Sequence, residues 1–221
     1  MVATEAEAGP FVAGLTRVGE AGPRVTRYRA GGHDVDLLVT GVGMVATASW
    51  CSRLLASARF DLTLNLGVCG SFKTAIVPGS VVHVVSDRLG ELGAEDGDRF
   101  LTIQQMGLLR DDEFPFKGGR LVNGSPPPNA TLANLRAVDG ITVSTVHGDE
   151  ASIAAVSERF GPDVESMEGA AFMYACLIRG TTFAEIRAVS NVVEKRNRAA
   201  WKLDEAIGNL NAAALRIIDQ A

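Results

Sequence analysis

The sequence predicts an α/β fold: a single-domain three-layer sandwich whose central, mixed or mostly parallel twisted β-sheet is flanked by helices. Short apolar segments alternate along the chain with longer segments whose apolar residues recur at helical spacing. This alternation is typical of a parallel or mixed sheet with helices on both faces. A length of 221 residues suits one domain, so we assign residues 1–221 to a single unit.

The individual elements follow from composition and spacing. We expect strands at 35–40, 62–68, 79–86, 141–146, 163–164 and 183–190. We expect helices at 7–17, 44–59, 129–136, 151–160, 168–179 and 204–219. Residues 87–128 are polar and rich in Gly and Pro, which predicts a lid, an oligomer contact or a hairpin. Residues 1–4 have the composition of a strand end, so either the first strand is short or the translation start lies upstream.

Composition and charge argue against several classes of function. The formal net charge of −5 disfavours a nucleic-acid partner, which needs a basic face. No apolar run approaches the ~20 residues that cross a bilayer, and no secretory signal opens the chain. Cys51, Cys69 and Cys176 lack metal-like spacing and are predicted to be reduced thiols of a cytoplasmic protein. The three histidines are scattered, so we expect neither a metal nor a cofactor.

Small or polar residues stand at five strand ends, where ligands bind in parallel sheets. These segments are 4–7, 40–44, 67–71, 165–168 and 190–191. Glu168 opens the helix after the fourth segment, and two interpretations of it remain open. The helix dipole stabilises a carboxylate there by roughly 0.3–1 kcal/mol. Alternatively, Glu168 faces a cleft and accepts two hydrogen bonds from a vicinal diol such as a ribose.

Four motifs in this order resemble the nucleoside phosphorylase and nucleosidase superfamily, to which the methylthioadenosine/S-adenosylhomocysteine nucleosidases belong. They are TGVG (40–43), NLGVCGSF (65–72), ESMEGAA (165–171) and RAVSN (187–191). The resemblance covers nearly the whole chain. The segment SNVVEKRNRAAW (190–201) more closely resembles the futalosine hydrolases, the nucleosidases of the alternative menaquinone pathway.

The resemblance implies roles at the sugar. Glu168 is expected to bind the 2′- and 3′-hydroxyls of ribose, with Met167 packed against the sugar. Glu7 is expected to order and deprotonate the attacking water, whereas without the resemblance it reads as a solvated first-turn carboxylate. Glu5 fits the family spacing less well than Glu7. Ser166 departs from the family, which carries a second Glu at that position.

The resemblance also implies roles at the base. Asn191 stands where the adenine-specific nucleosidases have Asp. An amide can donate to a 6-oxo group, which favours hypoxanthine over adenine, although Asn191 could instead only tie down its own loop. The segments expected against the base and sugar are Gly43, Val68, Cys69 and Gly70, and backbone groups of Ala151 and Ser152 are expected to contact the base edge.

The basic segment 194–198 has two interpretations, a solvated loop or a binding site for the carboxylate at the 5′ end of futalosine. In the second, the guanidinium of Arg196 or Arg198 binds the acid. Trp201 is expected to pack on the aryl ring of the substrate.

Neither Gly motif carries the Arg that phosphorylases of this fold use for phosphate, so we expect water as the nucleophile. The alternatives are a methylthioadenosine/S-adenosylhomocysteine or aminofutalosine nucleosidase, a purine nucleoside phosphorylase, and a non-catalytic nucleoside-binding protein. The expected partner is a small-molecule nucleoside, and we expect a homo-oligomer, a dimer or a tetramer, as is usual in the superfamily.

Overall fold

The computed structural model describes residues 1–220 as six helices, twelve strands and a 3₁₀ turn at Arg198–Ala200. The helices are α1 (Glu5–Ala13), α2 (Met44–Ser57), α3 (Ala130–Asn134), α4 (Glu150–Phe160), α5 (Gly169–Arg179) and α6 (Leu203–Ile218). The strands are β1 (Thr16–Gly22), β2 (Val25–Ala30), β3 (His33–Leu38), β4 (Thr63–Ser71), β5 (Val81–Asp87), β6 (Gly93–Asp96), β7 (Arg99–Thr102), β8 (Phe116–Lys117), β9 (Arg120–Val122), β10 (Arg136–Thr142), β11 (Val164–Ser166) and β12 (Phe183–Val192). Within residues 1–220 no helix has the length and apolarity that a membrane span requires.

Seven strands form the central sheet in the order β10-β11-β4-β12-β5-β9-β8, and β10 also pairs with β5. The first five strands therefore close into a ring. β12 lies parallel to β4 and antiparallel to β5, while β11 lies parallel to β10 and antiparallel to β4. The sheet is mixed, as the sequence predicted. The long strands β4 and β12 run side by side, so their carboxyl ends open at one edge, where ligands bind in such folds.

Helices cover both faces of this sheet, which confirms the three-layer arrangement. On one face, α2 and α5 contribute Cys51, Leu55, Phe172 and Met173 to a core with β4 and β5. On the other face, α1 and α6 pack Phe11, Leu210 and Ile217 against β4 and β12.

A second sheet of three antiparallel strands, β1-β2-β3, corrects the expectation for the first third of the chain. The first helix was expected to extend to residue 17, and no strand was expected between it and residue 35. In the structure, α1 ends at Ala13 and Gly14 follows as its cap. The strand β1 is almost entirely exposed and therefore lacks the apolar residues by which a buried strand is recognised.

Residues 1 and 2 join the two sheets. The Met1 amine donates to the carbonyl of Leu64 (2.8 Å), and the Val2 N–H donates to the carbonyl of Leu38 (3.0 Å). These two residues thus occupy a strand position between β3 and β4.

The strand expected at 141–146 lies earlier in the chain. β10 runs from Arg136 to Thr142, and its first residues pair with β5. The excursion at 87–128 holds two short hairpins, β6–β7 and β8–β9, which agrees with one of the three alternatives predicted for it.

Candidate active site

The carboxyl ends of β4 and β12 open into a cavity of about 360 Å³. Its walls come from the start of α1, the ends of four strands and the segment after β12. Nine of the thirteen residues proposed for the site line it: Glu7, Val68, Cys69, Gly70, Met167, Glu168, Asn191, Arg196 and Trp201. The sequence-based prediction of one cleft at the strand ends is therefore matched by one cavity.

Glu7 is buried, with 8% of its surface exposed, although it lies in the first turn of α1. Its Oε2 accepts hydrogen bonds from the backbone N–H (2.9 Å) and the hydroxyl (3.1 Å) of Thr4, which form a capping box. Its Oε1 accepts from the N–H of Val68 (3.3 Å) at the end of β4. The side chain is thus fixed at the cavity wall, and the interpretation of Glu7 as a solvated carboxylate is wrong.

Glu168 is buried at the corner between β11 and α5, with 6% of its surface exposed. Its side chain makes no capping bond to α5. Instead, Oε1 accepts the N–H of Gly43 (2.9 Å), the N-cap of α2. Gly43 itself does not line the cavity but holds Glu168 in place. Met167 lines the cavity beside this carboxylate.

Arg187 is a buried cation near both carboxylates, and no role was expected for it. It is 1% exposed, and its Nε donates to Oε1 of Glu185 (2.9 Å). A Cβ on Gly67 would overlap Nη1 of Arg187 and lie 3.1 Å from Oε1 of Glu7, so only glycine leaves room there. Burial alone would lower the pKa of Arg187, but Glu185, Glu168 and Glu7 raise it above its ordinary value. A permanent cation therefore lies close to the carboxylates of Glu7 and Glu168.

Asn191 lines the cavity near the end of β12. Its Oδ1 accepts from the hydroxyl of Ser190 (2.8 Å), and its Nδ2 donates to the carbonyl of Val192 (2.9 Å). The amide therefore ties down its own loop and also forms part of the cavity wall. A side-chain amide has two N–H donors and two lone pairs on its oxygen, so one of each remains for a ligand.

Of the two arginines proposed for the 5′ end, only Arg196 lines the cavity. Arg198 lies in the exposed 3₁₀ turn. Both guanidinium groups lie over the ring of Trp201, at 5.3 Å and 5.9 Å from its centroid. Such cation–π contacts hold the guanidinium over the ring that lines the cavity, which favours Arg196 as the residue that meets a ligand.

Ala151 and Ser152 do not line the cavity. Their N–H groups donate to Oδ1 of Asp149 (3.0 Å and 3.2 Å), the N-cap of α4. Both residues are exposed. The expected contact of these N–H groups with a base edge is corrected accordingly, because the cap already occupies them.

His147 and Glu165 line the cavity, and no sequence motif had marked them as a pair. The ring Nδ1 of His147 lies 2.6 Å from Oε2 of Glu165, and the backbone N–H of His147 donates to the same carboxylate (3.2 Å). The two residues are 18 positions apart, so only the fold brings them together.

Cys69 also lines the wall, but burial raises the pKa of its thiol to about 12, so it stays protonated and is no nucleophile. Within residues 1–220, no group of three or more His, Cys, Asp or Glu side chains is placed to hold a metal ion.

Comparison with known proteins decides the family. The model of the phosphorylase superfamily matches residues 1–219. The chain belongs to the phosphorylase superfamily. Its relatives in this superfamily include the futalosine hydrolase of Streptomyces coelicolor, 34% identical over 96% of this chain and 89% of the relative. A second is the futalosine hydrolase of Thermus thermophilus, 29% identical over 82% of this chain and 80% of the relative.

Solved structures of the superfamily share the fold. A futalosine hydrolase of Helicobacter pylori superposes with a TM-score of 0.81 at 12% identity, covering 100% of this chain and 96% of that one. A methylthioadenosine/S-adenosylhomocysteine nucleosidase of Colwellia psychrerythraea, solved with adenine, gives a TM-score of 0.77 at 22% identity, covering 99% and 93%. At these identities the likeness establishes the fold, and the predicted nucleoside phosphorylase-like architecture is confirmed.

Proposed function

We propose that this protein hydrolyses the N-glycosidic bond of futalosine, releasing hypoxanthine and dehypoxanthinyl futalosine for menaquinone biosynthesis. The observation that carries the proposal is a single cavity lined by two fixed carboxylates, Glu7 and Glu168, and by the amide of Asn191. Relatives named futalosine hydrolase, aligned over most of the chain, support the choice of substrate.

The carboxylates serve the sugar. Cleavage of an N-glycosidic bond builds positive charge on the ribose as the base departs. The Oε2 of Glu168 has no hydrogen bond within residues 1–220 and can receive the ribose hydroxyls beside Oε1. Glu7 orients the attacking water and takes its proton. Both charges lie in a buried site, where they stabilise the cationic transition state more strongly than they would in water.

The amide serves the base. A 6-oxopurine presents an acceptor oxygen where adenine presents an amino group. The free N–H of Asn191 can donate to that oxygen. A carboxylate at this position would instead repel it. This difference supports hypoxanthine as the leaving group.

Arg196 serves the acid at the far end of the substrate. Its side chain lines the cavity and lies over Trp201. A guanidinium binds a carboxylate through two parallel hydrogen bonds, and the indole face offers a surface for an aryl ring.

Water is the proposed nucleophile because the cavity wall, as described for residues 1–220, holds Arg196 as its single Lys or Arg. Arg24 does approach the TGVG loop, where its Nη1 donates to the carbonyls of Val39 and Thr40 (3.3 Å each). It does not line the cavity.

A substrate panel tests the function. Purified protein is incubated with futalosine, aminofutalosine and methylthioadenosine, each with and without phosphate, and the released base is measured by chromatography. We expect hypoxanthine from futalosine at a rate independent of phosphate. Adenine from methylthioadenosine without hypoxanthine from futalosine would refute the proposal, and a requirement for phosphate would indicate phosphorolysis.

We further propose that the enzyme is a homo-oligomer and works in the cytoplasm. Phe114, in the excursion after β7, is 72% exposed, and Ile178 of α5 is 50% exposed. The three cysteines are free and buried, as suits a reducing compartment. Light scattering on the wild type and on Phe114→Asp tests assembly: a monomeric wild type would refute the oligomer.

A further inference from the structure

Three neighbouring strands align two polar side chains at the base end of the cavity. Glu165 of β11 and Asn191 of β12 both pair with Gly70 of β4, which lies between them. A Cβ on Gly70 would lie 3.4 Å from Nδ2 of Asn191 and 3.5 Å from Cγ of Glu165. Gly70 therefore lies between Glu165 and Asn191, and Val193 also packs against it, since a Cβ on Gly70 would lie 2.8 Å from Cγ2 of Val193.

His147 is fixed above Glu165. Its Nδ1 and its backbone N–H both contact the Glu165 carboxylate, and its ring meets Phe72 edge-on at 6.1 Å. Since Glu165 is 3% exposed and accepts from Nδ1, the ring Nε2 is the atom left for a ligand. Within residues 1–220, Nε2 makes no hydrogen bond.

The proposed reaction needs a proton at this end. The departing oxopurine takes the electron pair of the broken C1′–N9 bond. The amide of Asn191 can hydrogen-bond to the base but cannot release a proton near neutral pH. The thiol of Cys69 is held protonated by burial. Among the described residues of the cavity wall, His147 carries the single imidazole, a group that can hold and release a proton on a ring nitrogen.

We propose that His147 is the general acid for the leaving base and that Glu165 is its positioning residue; the proposal rests on the hydrolase function given above. The protonated ring donates its Nε2 proton to the purine as C1′–N9 breaks. The water oxygen bonds to C1′, and its proton goes to Glu7. The products are neutral hypoxanthine and the 1′-hydroxyl sugar, and a proton returns from Glu7 to His147 through solvent.

Other charges also face the loop of His147. On the cavity side, besides Glu7 and Glu168, they are Glu165, Glu194 and Arg196. On the outer side, a surface hollow bordering His147 is lined by Glu91, Glu95, Asp98, Arg99 and Arg159. Glu91 is engaged by the N–H groups of Ser144 and Thr145. Within residues 1–220, only Glu165 bonds to the ring.

The test compares two leaving groups in His147→Gln and Glu165→Gln. Hypoxanthine needs protonation, whereas p-nitrophenolate, released from p-nitrophenyl riboside, does not. For His147→Gln we expect a roughly 100-fold or larger fall in kcat/KM for futalosine and a change below about threefold for p-nitrophenyl riboside. Equal losses on both substrates, or no loss on futalosine, would overturn the assignment.

The comparison of leaving groups also separates positioning from simple support of the fold. In Glu165→Gln we expect kcat/KM for futalosine to fall strongly and kcat/KM for p-nitrophenyl riboside to change by less than about threefold, because the charge-assisted hydrogen bond that orients the ring is lost. Equal losses on both substrates would refute the role of Glu165. If the wild-type protein cleaves p-nitrophenyl riboside but no purine nucleoside, the proposed hydrolase function is refuted. The role of His147 as general acid is then refuted as well, without any result from the variants.

Discussion

The buried pair of Glu185 and Arg187 allows a quantitative prediction, because each residue is 1% exposed in its side chain and they share one hydrogen bond of 2.9 Å. Two further atoms of the pair, Oε2 of Glu185 and Nη2 of Arg187, are buried without a partner in the described chain. Removing one member of a buried ion pair typically costs about 3–5 kcal/mol, since the other charge stays buried and uncompensated.

We therefore expect Arg187→Met to lower the free energy of unfolding by about 3–5 kcal/mol. Glu185→Leu is expected to cost less, because Arg187 still faces Glu168 and Glu7. The double variant leaves no unpaired partner of this bond and is expected to recover part of the loss, with a coupling energy of about 2 kcal/mol. Urea unfolding at pH 7, followed by tryptophan fluorescence, measures all four proteins.

The exposed pair of Arg29 and Asp34, which also forms one ion pair (3.1 Å), is the matched control. Its side chains are 61% and 55% exposed, so a cycle of Arg29→Met and Asp34→Leu is expected to give a coupling below about 1 kcal/mol. Equal coupling in the two pairs, or additivity within about 0.5 kcal/mol in the buried pair, would refute the reasoning.

Three further predictions follow from single contacts. Glu7→Gln is expected to abolish most turnover and to cost about 1–2 kcal/mol of stability through the capping box, whereas the exposed Glu5→Gln changes neither; wild-type turnover in Glu7→Gln would remove it from the mechanism. Burial, and then the nearby Glu185, raise the pKa of Asp87, so the native state keeps a proton that the unfolded chain releases, and stability falls as pH rises above about 4 toward the raised value. Asp87→Asn is expected to flatten this fall in melting scans, and an unchanged slope would contradict it. Arg196→Ala is expected to raise KM for futalosine but not for inosine, while Arg198→Ala changes neither; identical KM ratios in the two variants would refute the carboxylate site.

Most of the central sheet could be predicted because its strands are buried and therefore apolar. β12 is one example, with eight consecutive buried residues from Phe183 to Ser190. The hairpin β1–β2 could not be predicted, because β1 is almost entirely exposed and β2 is fully buried only at its two end residues, so neither shows an apolar period. The error at Ala151 and Ser152 was avoidable, since Asp149 directly before the helix is a typical N-cap.

The polar contacts of the site depend on the fold and could not be read from spacing. The burial of Glu7 depends on β4, whose Val68 lies 61 positions away. The contact between His147 and Glu165 depends on the parallel pairing of β10 with β11, in which Ile141 lies opposite Glu165. The strand FAEIRAVS is otherwise mostly apolar but holds Glu185 and Arg187. Charged residues are rarely buried unless they are paired, so this strand could have indicated the buried cation.

Ser166, which stands where the family carries a second Glu, helps to explain the orientation of Glu168. The hydroxyl of Ser166 accepts the N–H of Gly169 (3.3 Å), and the hydroxyl of Thr142 accepts the N–H of Ala170 (2.7 Å). Two side chains from neighbouring strands thus satisfy the first N–H groups of α5. Without them, the carboxylate of Glu168 would be the nearby acceptor for these N–H groups. Its carboxylate is then free to reach Gly43 and the cavity. Of the two interpretations of Glu168, the one that places it in the cleft therefore follows from how the helix start is already capped.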